Sequence, residues 1–134
     1  MLKLSKSEDV EARLLIDAMQ NDMYSYAMGV HNNFEHSDFA ESVSSEIQMV
    51  MDGKNDRLIL IGPPRHGKSF ITSETAPAWF LGKWPTRKII CASHTEELAT
   101  DLGAKVKINM AHPMHELAFG PQARVSKAKS SSSN

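Results

Sequence analysis

The stretch Arg57–Glu74, "RLILIGPPRHGKSFITSE", decides how the chain is read. Its first five residues form a continuous apolar run of the kind found in buried parallel strands. The run enters a loop holding two glycines and two prolines, and the loop opens onto Lys68 and Ser69. "GPPRHGKS" (Gly62–Ser69) fits the pattern G-x-x-x-x-G-K-[ST], with a strand expected before it and a helix after it.

Each part of that pattern has a job. Gly62 and Gly67 permit backbone angles that turn successive N–H groups inward, a nest for phosphate oxygens. A helix opening at Lys68 adds the positive end of its dipole. Lys68 brings a mobile charge to the β- and γ-phosphates, and Ser69 a hydroxyl for Mg²⁺. A chance match in a turn is the competing account, with odds on the order of one in a few hundred chains of ordinary composition. Arg65 has two readings, a cis arginine finger or a solvent-exposed side chain paired with a carboxylate. His66 reads as a loop-packing residue, since no carboxylate partner is visible to make it a base.

Working outward, "KIICAS" (Lys88–Ser93) reads as a second buried strand. The helix from Lys68 should run to about Ala76, where Pro77 ends or kinks it. Ser93 and Glu96 form a capping box for a helix carrying Leu98, Leu102, Val106 and Met110. Upstream, Ser5 and Glu8 have the same spacing, followed by Val10, Leu14, Leu15, Ala18, Met19 and Met23 at helical intervals. "GVHNNFEHSD" breaks that helix. A second begins near Asp38, with Phe39, Val43, Ile47 and Met51 on one face and Gly53 at its C-terminal end. After "AHP" the periodicity dissolves.

The predicted order is α, α, then β-loop-α-β-α. It implies an α/β protein, an incomplete parallel sheet of P-loop NTPase type with flanking helices, preceded by two N-terminal helices. The segments are 1–52 (helical), 53–120 (partial P-loop ATPase core) and 121–134 (a truncated, disordered tail).

Composition narrows the function classes. The 134 residues carry 15 basic and 16 acidic side chains, so no overall attraction to nucleic acid is expected. Lys105, Lys107, Arg124, Lys127 and Lys129 read as a solvated basic face. A single cysteine, Cys91, excludes an internal disulfide and reads as an inert core thiol. "HPMH" (His112–His115) lacks a third ligand for a metal and reads as surface polarity. No apolar run approaches the roughly 18 residues that span a bilayer, and the N-terminus does not read as a signal peptide. An intracellular protein with no membrane partner is expected.

The segment "GKNDRLILIGPPRHGKSFITSETAPAWFLGKWPTRKIICASHTEELATDLGAKVK" (Gly53–Lys107) resembles the N-terminal ATPase region of the large terminase subunits of tailed bacteriophages. The matching features are Gly53–Lys54, Pro63–Ser69, Ala78–Gly82, Ala92–Ser93 and Leu98–Ala99. The resemblance implies ATP and Mg²⁺ as cofactors in a DNA-packaging motor of the bacterial cytoplasm. On it, Gly62, Pro63, Pro64, Arg65, His66, Gly67, Lys68, Ser69 and Phe70 contact the nucleotide, Lys68 and Arg65 act on the γ-phosphate, and Ser69 ligates the metal. Implied partners are viral double-stranded DNA, the portal protein and the small terminase subunit. A homo-oligomer in the intact motor and a second chain completing the ATPase are implied as well. The chain departs from the family in one respect that bears on activity. It carries no apolar strand ending in paired acidic residues and no nuclease carboxylates, so it is expected to be inactive alone. A non-catalytic nucleotide-binding or interaction module and a degenerate prophage remnant are the alternatives.

Overall fold

The computed structural model describes residues 5–65 and 67–121. Six α-helices and one π-helical segment make up its regular structure: α1 (Lys6–Asn21), α2 (Met23–Val30), α3 (Asp38–Met51), the π segment (Phe70–Thr75), α4 (Ala76–Lys83), α5 (Glu96–Met110) and α6 (Pro113–Phe119). The described residues contain no strand. This corrects the expected α/β class: the parallel P-loop sheet is not formed, and the architecture is helical.

The reason lies in what a strand requires. Both "RLILI" and "KIICAS" lack regular secondary structure, because a strand exists only when a neighbour accepts and donates its backbone hydrogen bonds. Among the described residues neither run has such a ladder. Side chains alternate instead. Leu58 and Leu60 pack against the helical core. Ile59 and Ile61 are 84% and 92% exposed, and Ile90 is 93% exposed. Cys91, expected in a core, is exposed for the same reason.

Local signals set most helix ends. Ser5 accepts from the Glu8 amide while the Glu8 carboxylate accepts from the Ser5 amide, the reciprocal box the spacing predicts. Ser37 caps α3 through the Ala40 amide. Beyond Asp52 at its C-terminus, Gly53 and Lys54 donate to the Val50 and Met49 carbonyls. For α5 the cap is Thr95, which accepts from the Leu98 amide, two residues later than Ser93.

The first helical run is divided at Asp22. There the Asp22 carboxylate accepts from the Ser25 amide and opens α2. Gln48 on α3 holds this corner from outside, donating to the Asn21 carbonyl and accepting from the Met23 amide. The apolar residues then separate into two sets. Met19 and Met23 are fully buried, whereas Val10 and Leu14 are more than half exposed.

Helical structure continues through Pro77, because the turn before it widens. Proline lacks an N–H, and its ring collides with the carbonyl four residues back in an α-helix. In the π segment the Ala76 amide reaches back five residues to Ile71. The core forms around this segment and α4. Met19, Met23, Tyr26, Ile71, Ala76 and Trp79 are all fully buried, and the Trp79 indole N–H donates to the Met19 carbonyl at 2.9 Å. The helices of 1–52 therefore share one core with those that follow the loop.

The chain also forms α6, which periodicity did not indicate. His112 caps it by accepting from the Met114 amide. His115 is fully buried, correcting its assignment to the surface. The tail beyond Pro121, with Arg124, Lys127 and Lys129, lies outside the described residues, as does His66.

Candidate functional site

The Gly62–Ser69 loop is exposed and sharply folded. Gly67 has φ +75° and Arg65 has φ +65°. Glycine meets that left-handed geometry without steric cost, whereas a side chain there costs about 1–3 kcal/mol. The second left-handed residue is thus Arg65, not Gly62. Local strain of this size persists only where the surroundings hold it, and the Pro63–Pro64 pair restricts the approach from one side.

The loop passes directly into helix. The Ile71 amide donates to the Gly67 carbonyl at 3.0 Å, which leaves the amides of Lys68 and Ser69 at an open helix end. Lys68 folds back across the loop, and its ammonium donates to the Gly62 carbonyl at 3.1 Å. The two ends of the loop are joined by a charged group that an anion would attract more strongly than a carbonyl does. Thr72 Oγ1 donates to the Lys68 carbonyl at 2.9 Å, tying this residue to the next turn.

Arg65 is exposed and forms no ion pair among the described residues, so the carboxylate-paired alternative is not realised there. Ser69 is exposed at the same helix end. For the implied Mg²⁺ it offers one oxygen. Among the described residues, His36, Asp38 and Glu41, exposed at the start of α3, are the His, Asp and Glu side chains close enough to share a cation. The donor set therefore suits phosphate better than it suits a metal held by protein alone.

Beside the loop is a cleft of about 830 Å³, between the 30–40 connector and the start of the π segment. Gly67 and Phe70 form one wall, and His31, Phe34 and Phe39 stand on the other. The Phe34 and Phe70 rings stack with centroids 5.8 Å apart, and His31 meets Phe70 edge-on at 4.3 Å. Burial, reinforced by the nearby His112, lowers the pKa of His31, which keeps the ring neutral at pH 7. Tyr24 holds His36 through a 2.6 Å contact between its hydroxyl and Nδ1.

Sequence reasoning missed this wall. "GVHNNFEHSD" is expected only to break a helix, and the signal available is two histidines and a phenylalanine within six residues, His31–His36. Of the basic set, only Lys105 and Lys107 lie among the described residues. Lys105 pairs with Asp101 at 3.0 Å and with Glu74 at 3.4 Å.

No helix among the described residues is long and apolar enough to cross a membrane. The chain matches no protein-family model, no curated protein and no solved structure.

Proposed function

We propose that the Gly62–Ser69 loop binds the β- and γ-phosphates of Mg-ATP, and that the chain is the ATP-binding portion of a DNA-packaging motor of the large-terminase class. The supporting observation is the Lys68 ammonium lying across the loop on the Gly62 carbonyl, beside a left-handed Gly67 and an open helix end. Phosphate oxygens entering there exchange a neutral acceptor for a charged one, so the Lys68 hydrogen bond gains direct charge–charge attraction. The cleft lined by Phe34, Phe70 and His31 borders the loop at Gly67 and offers aromatic surface to the nucleoside half of the same ligand. Mg²⁺, when bound with the nucleotide, supplies charge neutralisation at the phosphates, with Ser69 as the protein oxygen nearest the loop's end. Arg65, exposed at the loop's turn and without an ion pair among the described residues, is the side chain this reading sends to the γ-phosphate. Viral double-stranded DNA, the portal protein, the small terminase subunit, further copies of the chain and a second chain completing the ATPase are the partners this reading proposes.

A second reading, a nucleotide-binding module that does not hydrolyse, is favoured by the carboxylates. Orienting an attacking water and holding the metal both need acidic side chains, and neither apolar run ends in one: "RLILI" leads into Gly62 and "KIICAS" into His94. Calorimetry on the wild type and Lys68→Ala tests the binding step. Loss of most Mg-ATP affinity in the variant is expected, and equal affinity in the two proteins sinks the assignment. Turnover of ATP by the 134-residue chain alone would reject the non-hydrolysing module.

A further inference from the structure

The element joined to the loop is itself unusual. Residues Phe70–Thr75 are π-helical, a geometry that is rare and concentrated at functional positions. Its cause is local, since Pro77 cannot complete an α-turn and repels the carbonyl of Ser73. Its consequence is directional. The downstream side is fixed, because Ala76, Ala78 and Trp79 are fully buried and the Trp79 indole is bonded to the Met19 carbonyl. From outside, Asn109 on α5 clamps the segment by donating to the Glu74 carbonyl at 3.1 Å. An α-register in the same six residues would wind them more tightly against an immobile α4. The change would therefore be taken up at the free end, by Ser69 and Lys68.

We propose that Pro77 and Asn109 are positioning residues, which hold the Phe70–Thr75 turn in π register and thereby aim Lys68 across the loop at the Gly62 carbonyl. The functional consequence rests on the phosphate-loop reading above. The aim itself does not. Neither residue touches the proposed ligand. Both act through the helical register, which sets the direction in which the Lys68 side chain leaves the backbone.

Pro77→Ala separates this from a merely structural role, because site geometry should move without a matching loss of stability. Alanine's gain in helix propensity offsets the packing lost at buried Pro77, so the urea midpoint should stay close to that of the wild type. In NMR spectra the contact between Ile71 and the Ala76 amide, five residues apart, should give way to one between Thr72 and Ala76. The Lys68 ammonium signal, protected from exchange by its hydrogen bond in the wild type, should broaden. Mg-ATP affinity should fall about tenfold, the loss expected for one misaimed charge-assisted contact. Asn109→Ala should shift the same signals in the same sense. If Pro77→Ala keeps the Ile71–Ala76 contact and the Lys68 protection, packing of Ile71 and Thr75 sets the register and the proposal is overturned. Unchanged affinity in a variant with altered register overturns it equally. A wild type that binds no ATP refutes the nucleotide reading alone, and the NMR signals still decide the aim of Lys68.

Discussion

The Tyr26 hydroxyl and Nδ1 of His115 are hydrogen-bonded at 2.7 Å inside the core, joining α2 to α6. Both side chains are fully buried. His115 Nε2 has no partner among the described residues, so a proton added to the ring would place a charge where nothing compensates it. Burial, with His112 adding repulsion, pulls the His115 pKa down to about 4. Burial also pushes the Tyr26 hydroxyl well above its ordinary range, so it stays protonated.

Stability should therefore depend on pH in a defined window. The unfolded chain binds a proton at His115 near pH 6.5, whereas the folded chain resists until about pH 4. The stabilisation is complete above 6.5 and is lost as pH falls toward 4, amounting to about 3 kcal/mol at one unit of pKa per 1.36 kcal/mol. His31, shifted in the same direction, adds to the same slope. Urea unfolding between pH 7.5 and pH 4 should show the loss, and His115→Leu should flatten it. A wild-type curve level through this range would refute the buried neutral histidine.

Trp79 should be the most costly single residue to truncate. It is fully buried at the junction of α4 with α1, and its indole satisfies the Met19 carbonyl. Trp79→Phe keeps an aromatic ring but removes the donor, for about 1–3 kcal/mol. Trp79→Ala adds a cavity, for about 3–5 kcal/mol. Denaturant midpoints should fall in the order wild type, Phe variant, Ala variant.

Close approach, not backbone angle, explains Gly82. A Cβ built there would sit within 2.8 Å of Phe119 ring atoms, including the Cγ at the root of the side chain. The ring cannot swing aside without lifting α6, so Gly82→Ala should destabilise by about 1–3 kcal/mol, less up to about 1 kcal/mol of gained helix propensity. Combined with Phe119→Leu the penalty should shrink, and a double-mutant cycle showing strict additivity would contradict the contact.

Ile59, Ile61 and Ile90 expose β-branched apolar surface on backbone with no ladder partner among the described residues, a template for pairing with other chains. The purified chain should therefore associate with increasing concentration. Ile59→Thr with Ile61→Thr should reduce that association while leaving the urea midpoint within about 0.5 kcal/mol, as expected for surface substitutions. Light scattering against concentration distinguishes the two proteins.

What the sequence determined by itself is the set of features that depend on a few neighbouring residues. The Ser5–Glu8 box, the buried face of α3 with Val43 and Ile47, and the turn at Gly53 all follow from contacts within one helical turn. So does the loop pattern from Gly62 to Ser69, including a left-handed Gly67 and a helical start at Lys68. Tertiary structure decided the rest. A strand needs a ladder from a distant segment, and without one "RLILI" and "KIICAS" remain irregular chain. His115 is buried because α2 presents Tyr26 to it across 89 residues of sequence. The first helix breaks at Asp22 because Gln48 on another helix satisfies the freed backbone groups. Pro77 stays within a helix because the turn before it widens, and Asn109 on α5 bonds that turn at the Glu74 carbonyl. Each of these is a long-range contact whose partner local propensity cannot name.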